Sequence, residues 1–253
     1  ALDEADYDLS AFFVMGSAGA VWTQAVKDQL KAKLPKLALL DNFGASETGA
    51  QGMDAGGVQA EGGIRFRMNP NTVVLDDDNR VIEPGSGATG KLALRGRVPL
   101  GYWKDEAKSA RTFVTIDGVG HVLVGDLARP EADGTVTVFG RGSQCINSGG
   151  EKIFPEEVEG ALKSHADVFD AVVVGVPDAR WGEAVAALIQ LRPGARAAPE
   201  DVIAHCRKHV AGYKAPRLLY VVDEIVRSPS GKPDYPWAKK VATERCLGDA
   251  RRV

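Results

Sequence analysis

Cysteine is scarce in this chain: Cys145, Cys206 and Cys246 are odd in number, far apart, and form no CxxC pair. Free thiols in a reducing cytosol are the expected state. Long apolar runs are missing as well. No stretch approaches the roughly 18 residues of a membrane-spanning helix. Dense basic clusters are absent: Lys239-Lys240 and Arg251-Arg252 are short, and a net charge of -3 gives no electrostatic reason to expect a nucleic-acid partner. Asp3, Glu4, Asp6 and Asp8 stand where a signal peptide would need basic and then apolar residues. No GxxxxGK[ST] occurs, so no Walker-type phosphate loop is present. What remains is an ordinary globular composition, 44% hydrophobic and 26% charged, and 253 residues suffice for one large domain or two modest ones.

In chain order, residues 12–20 (FFVMGSAGA) read as a buried strand entering a glycine turn. Val21 to Leu34 has helical spacing and stops at Pro35, and Leu37 to Leu40 is a second apolar strand. This strand–helix–strand order predicts a parallel α/β layer, whose ligands sit beyond the strand ends. From about Val58 short strands alternate with Gly and Asn turns: Ile64–Met68, Val73–Leu75, Lys91–Leu94, Val122–Val124 and Val136–Val138. They predict a small antiparallel sheet or partly closed barrel. Beyond Ser143 a compact α+β unit is expected, with strands at Val168–Val176, Ala184–Leu191 and Leu218–Val222 and helices at Pro199–Val210 and Pro236–Arg245. The expected division is therefore 1–57 (α/β), 58–141 (β-rich, barrel-like) and 142–253 (a separate α+β domain).

Several tempting motifs fail on context. Gly85 to Gly90 matches GxGxxG, but Lys91–Leu94 alternates like a strand where a dinucleotide site needs a helix. Gly44 to Gly49 misses the GxSxG elbow by one residue. Asp76-Asp77-Asp78 reads as a solvated turn, and His205 and His209 as a solvated helix face without a third metal ligand.

The most informative stretch is residues 140–159, GRGSQCINSGGEKIFPEEVE. Glycines flank Arg141, and Gly149-Gly150 bares the backbone a second time. Pro155 suits the first turn of a helix, and Glu156, Glu157 and Glu159 suit its dipole. Taken by itself the stretch is a hairpin leading into a helix at a domain junction. Other pieces have equally plain readings one by one. Asp41-Asn42-Phe43-Gly44-Ala45-Ser46-Glu47 lies at a strand end and offers an aromatic ring, a hydroxyl and a carboxylate. Val124-Gly125-Asp126 ends a strand in an aspartate apt for a diol. Trp181 and Tyr213 stand in loops, and Ser228 to Lys232 presents a lysine on a turn.

In this order and at these spacings the pieces resemble the signature of acyl-CoA synthetases, of the fatty-acid or steroid-side-chain type, in the adenylate-forming superfamily. The resemblance covers nearly all of the chain. It implies that Gly16, Ser17, Ala18, Gly19, Asp41, Asn42, Phe43 and Gly44 line the adenine of ATP. Ser46 would meet the α-phosphate, Glu47 would bind Mg²⁺, and Asp126 and Arg141 would hold the ribose. Lys232 would bridge the acid and the α-phosphate, offsetting the repulsion of anion for anion. Ser143 would be the hinge about which the last domain turns, withdrawing Lys232 and bringing Gly149 and Gly150 to the acyl carbon. There they would pass the pantetheine of coenzyme A, with Trp181 and Tyr213 stacking on its nucleotide.

Two departures stand out. The family often carries aspartate where Ser143 stands. Pro233-Asp234-Tyr235-Pro236-Trp237 replaces its usual basic run. The family's Ser/Thr/Gly-rich phosphate loop and most of its acyl pocket are expected upstream of residue 1. The chain thus reads as the C-terminal part of a longer enzyme and should not complete the reaction alone. The implied partners are a carboxylic acid and coenzyme A, in the cytoplasm; peripheral membrane association and a homo-oligomer are left open. An acyl-AMP ligase that loads a carrier protein, and a non-catalytic nucleotide-binding module, are the competing readings.

Overall fold

A computed structural model describes residues 7–18, 24–60 and 63–250; Gly19 lies outside them. The first half runs β1 (Val14–Ala18), α1 (Gln24–Lys33), β2 (Ala38–Ala45), β3 (Gly49–Ala60), β4 (Gly63–Met68), β5 (Thr72–Leu75), β6 (Gly90–Arg95), α2 (Glu106–Thr112), β7 (Phe113–Ile116), β8 (Val119–Val122), β9 (Asp126–Pro130) and β10 (Val136–Arg141). A single 3-10 turn at Gly142–Gln144 follows. The second half is β11 (Ile146–Ser148), β12 (Glu151–Ile153), α3 (Pro155–Lys163), β13 (Val168–Asp178), β14 (Gly182–Leu191), α4 (Pro199–Cys206), β15 (Leu218–Val221) and α5 (Tyr235–Ala250).

All strands up to β10 share one ten-stranded mixed sheet in the order β1-β2-β3-β4-β10-β9-β6-β8-β7, with β5 on β6. β1 and β2 pair in parallel, as strand–helix–strand order requires. The partly closed barrel expected for 58–141 is not found. β3 runs through residues 57 and 58 and joins the parallel pair to the antiparallel strands. The sheet consequently opens to ends at β1 and β7 instead of closing on itself. β1 is also not buried: Phe12, Phe13, Val14 and Met15 are exposed, because among the described residues this edge strand has only β2 beside it. The β7–β8 hairpin turns on Asp117 and Gly118, both at positive φ, the conformation a two-residue hairpin favours.

The second sheet has the order β12-β11-β14-β13, with β15 parallel to β14. Strand periodicity divides its core. Ala171 and Val173 pack with Val158 and Leu162 of α3 and Val202 of α4. Val172, Val174 and Val176 pack with Ala238 and Ala242 of α5 on the other face. A near-continuous apolar strand is what burial on both faces demands. The two halves meet at the joint. Phe139 stacks on Phe154 with centroids 4.9 Å apart, and the Gly142 amide donates to the Gly125 carbonyl at 2.9 Å.

Candidate active site

The centre of the site is the end of the β9–β10 pair. Antiparallel register places Arg141 opposite Asp126, so their side chains meet without a loop to arrange them. Arg141 Nε lies 3.2 Å from Asp126 Oδ1, and its Nη1 donates to the Val124 carbonyl at 2.7 Å. Asp126 is buried and begins β9; it does not close the strand before it, which ends at Val122. Burial pushes its carboxyl up, while the charges of Arg141 and Lys232 pull it back down. Lys232, more than ninety residues away in sequence, is thus within electrostatic reach of Asp126.

Glu47 joins the same neighbourhood from the β2–β3 turn. Thr48 Oγ1 accepts from the Ala45 amide at 3.0 Å, and Gly49 takes φ +65, so the turn is tight. A Cβ on Gly44 would come 2.2 Å from the Gly49 carbonyl oxygen, so only glycine fits that approach. The Tyr102 hydroxyl donates to Glu47 Oε1 and holds the carboxyl below its ordinary range, with burial opposing and the positive charges of Lys108 and Arg141 adding to it. Tyr102 and Lys108, whose ammonium sits 3.9 Å over the phenol ring, went unnoticed in the sequence. The available signal was the Gly101-Tyr102-Trp103 loop in a chain with only 7% aromatic residues. Ser46 is exposed in the same turn.

The remaining residues assigned to adenine lie on β1 and β2. Ser17 pairs with Asp41 and Ala18 with Asn42, whose amide reaches the Ser17 carbonyl at 3.5 Å. Gly16 sits against Asn42; a Cβ there would meet its Nδ2 at 3.1 Å. Asp41 to Ala45 are inside β2, since the strand runs farther than Leu40. The Asp41 carboxylate is buried and paired with Lys27 of α1, so it ties helix to sheet; only its backbone is left for a ligand. Phe43 is half-buried, its ring tilted on Phe66 at 5.4 Å.

Gly149, Gly150 and Trp181 form a separate corner. The two glycines are the β11–β12 hairpin turn, at φ +62 and +90. The Gly149 amide donates to the Trp181 carbonyl at 2.8 Å, and a Cβ on Gly149 would lie 2.7 Å from the indole ring. A Cβ on Gly150 would meet nothing within 4 Å. Trp181 carries guanidinium groups on its ring, Arg180 at 4.7 Å and Arg217 at 4.5 Å. Tyr213 is exposed. Ser143 lies in the 3-10 turn, beside a cleft of about 330 Å³ that also touches Cys145, Val174, Tyr235 and Lys239. Asp76 accepts from the Arg80 amide at 2.8 Å, as a turn residue should. His165 edges against His205 at 5.1 Å, giving the His205–His209 pair a third ring. Among the described residues, however, no cluster of His, Cys, Asp or Glu is arranged to hold a metal by itself. The Glu47 carboxylate, held below its ordinary range by the Tyr102 hydroxyl, is an oxygen ligand of the kind magnesium takes.

Glu156 is a further residue whose setting local sequence does not reveal. It lies at the start of α3 under Gly140, where an added Cβ would fall 2.6 Å from its carboxylate. Its Oε2 is buried without a hydrogen-bond partner. Burial foremost, then the nearby Glu159, pushes the carboxyl up to about 8. A carboxyl raised from 4.5 to about 8 favours the folded, docked state fully below 4.5, and that contribution is lost as pH rises through about 8. Thermal melts of this chain should therefore show stability falling between about pH 4.5 and 8, with a shallower fall for Glu156→Gln. Parallel profiles for the two proteins would rule out a buried proton at this joint.

Comparison with known proteins follows the same lines. Residues 157–232 match the AMP-binding enzyme C-terminal domain. A medium/long-chain-fatty-acid–CoA/3-oxocholest-4-en-26-oate–CoA ligase of Mycolicibacterium smegmatis is 54% identical over 242 residues, covering 95% of this chain and 44% of that protein. A 3-oxocholest-4-en-26-oate–CoA ligase of Rhodococcus rhodochrous is 52% identical, covering 92% of this chain and 42% of that protein. The chain thus spans less than half the length of these curated relatives. Among solved structures, the anthranilate CoA ligase AuaEII in complex with anthranoyl-AMP shares the fold, with TM-score 0.81 at 24% identity over 95% of this chain and 46% of that one. ATP-bound MatB from Rhodopseudomonas palustris gives TM-score 0.73 at 25% identity over 92% of this chain and 46% of that one.

Proposed function

We propose that this chain is the C-terminal part of an adenylate-forming enzyme and serves an ATP-dependent, AMP-forming ligation of a carboxylic acid to coenzyme A; its match to the AMP-binding enzyme C-terminal domain and its half-identical ligase relatives support the reading. The acid is of the fatty or steroid-side-chain kind that the half-identical relatives are named for. The observation that carries this reading is the gathering of Glu47, the Asp126–Arg141 pair and Lys232, from three separate regions of the chain, into one electrostatic neighbourhood.

Asp126, steadied by Arg141, accepts hydrogen bonds from the vicinal ribose hydroxyls of ATP, and Arg141 adds donors to the same diol. The Ser46 hydroxyl donates to the α-phosphate. Lys232 places its charge between the acid's carboxylate and that phosphate, where two anions must meet as the P–O bond to the acid forms and pyrophosphate leaves. Glu47 would hold magnesium, which when bound would add neutralisation of the phosphate charge. Tyr102 keeps the Glu47 carboxylate ionised and aimed. After adenylate formation the C-terminal domain turns about Ser143, and the Gly149-Gly150 hairpin replaces Lys232 at the acyl carbon, so that the CoA thiol, losing its proton, forms the C–S bond as the acyl–O bond breaks and AMP leaves.

The deciding experiment offers the full protein a panel of fatty and steroid acids with ATP, measuring pyrophosphate release and thioester with and without CoA. Acid-dependent pyrophosphate release followed by thioester upon CoA addition supports the ligase. Release that yields no thioester until a carrier protein is supplied would replace it with the carrier-loading reaction. No acid-dependent release with any acid would sink both.

A further inference from the structure

Lys232 stands on an exposed turn, yet a lysine that must meet two anions at once cannot be left to wander. The turn from Ser228 to Lys232 closes on itself. The Ser228 amide donates to the Lys232 carbonyl at 2.9 Å and the Gly231 amide to the Ser228 carbonyl at 2.8 Å. The Lys232 amide reaches Ser228 Oγ at 3.2 Å. Those bonds give the turn its shape and say nothing of where it sits. Its place is set from outside, by Arg227. Arg227 Nε donates to Asp170 Oδ2 at 2.6 Å and Nη2 to Asp170 Oδ1 at 2.7 Å, a two-pronged pair that fixes the plane of the guanidinium. The third nitrogen, Nη1, donates to the Gly231 carbonyl at 2.7 Å, the peptide group that leads into Lys232.

Asp170 is itself well placed to be an anchor. It lies near the start of β13, partly buried, just before the strand's fully buried run and next to a register shift between Val168 and Asp170 that leaves Phe169 turned out to solvent. Such irregularities re-aim side chains. Arg227 and Asp170 are 57 residues apart, so the contact crosses the domain. Arg227 also pairs with Pro233 across the base of the turn.

We propose that Arg227 is a positioning residue for Lys232, holding the lysine turn to β13 through Asp170 and the Gly231 carbonyl. The inference rests on the reading of Lys232 as the lysine of adenylation. Lysine at 227 keeps the charge but lacks the fork that binds a carboxylate and a carbonyl together. Charge alone therefore should not restore function.

The test uses Arg227→Ala, Arg227→Lys, Asp170→Asn, Lys232→Ala and the Arg227→Ala/Lys232→Ala double variant in the full protein. Acid-dependent pyrophosphate exchange with ATP reports adenylation, and thioester formation from a supplied acyl-adenylate reports the second half-reaction. Displacing a reacting group by about 1 Å costs on the order of a hundredfold. Arg227→Ala should lose between about tenfold and a hundredfold in the kcat of exchange, with KM for ATP little changed and thioester formation spared. Arg227→Lys should fall nearly as far, Asp170→Asn less, and the double variant no further than Lys232→Ala alone. Hydrogen exchange on this chain gives an activity-free readout: the Gly231 and Lys232 amides should exchange faster in Arg227→Ala while β13 and β14 stay protected. Equal losses in both half-reactions, additive losses in the double variant, full rescue by lysine or unchanged amide exchange would each overturn the proposal. A Lys232→Ala protein with normal exchange would instead overturn the reading of the lysine itself.

Discussion

Lys232→Ala should lower acid-dependent pyrophosphate exchange by about a hundredfold or more and leave thioester formation from a supplied adenylate near the wild-type rate. The asymmetry follows from where charge is needed. Only the first half-reaction brings a carboxylate onto a phosphate, so only there does an ammonium stabilise the transition state more than the ground state. The charge of Lys232 is felt at Asp126, beside the proposed ribose site, where it helps hold that carboxyl down against its burial. Truncation at an exposed turn removes no packing, so the fold should be unaffected and the melting temperature should not move. Equal losses in the two half-reactions would show that the lysine is not confined to adenylation.

Gly150→Trp should do the reverse, leaving exchange nearly intact and blocking thioester formation. The paired glycines separate here. Gly149 is bare because Trp181 occupies the space its Cβ would need, which is a structural requirement. Gly150 faces open space, and only its φ of +90 asks for glycine within this structure. Gly150→Asn keeps a residue that tolerates positive φ and serves as the control for backbone strain. Should the indole at 150 suppress exchange and thioester formation together, or Gly150→Asn prove as damaging in both, the hairpin is a turn and nothing more, and the proposed path of CoA is wrong.

The second sheet was legible in advance because its chemistry is local. Val168–Val176 and Ala184–Leu191 are runs that only a doubly covered strand accommodates, and Pro155 and Pro199 each open a helix with acidic residues behind them. The first half was read less well. β3 and β9 carry glycine and charged residues in place of alternation, and their strand character comes from the neighbours they pair with. A barrel was expected because short strands and turns do not encode which edges meet.

Within the site, sequence by itself marked the groups whose chemistry is unusual for their setting: the bare glycine pair, Arg141 between glycines, the carboxylates of Glu47 and Asp126, and Lys232 on its turn. The start of α3 was marked as well, by Pro155 and the acids that follow. Tertiary structure alone decided what those groups face. Antiparallel register set Arg141 against Asp126, the Tyr102 loop crossed to Glu47, and Gly140 came down on the carboxyl of Glu156. Asp41, an equally polar residue, was turned to Lys27 and away from any ligand. The Arg227–Asp170 clamp belongs to the same class, a contact 57 residues long in sequence. The physical reason is common to all of them: residue type and local spacing determine a group's charge and the conformations open to its backbone, whereas its partners and its burial, and hence its pKa, depend on which distant strands the sheet brings alongside.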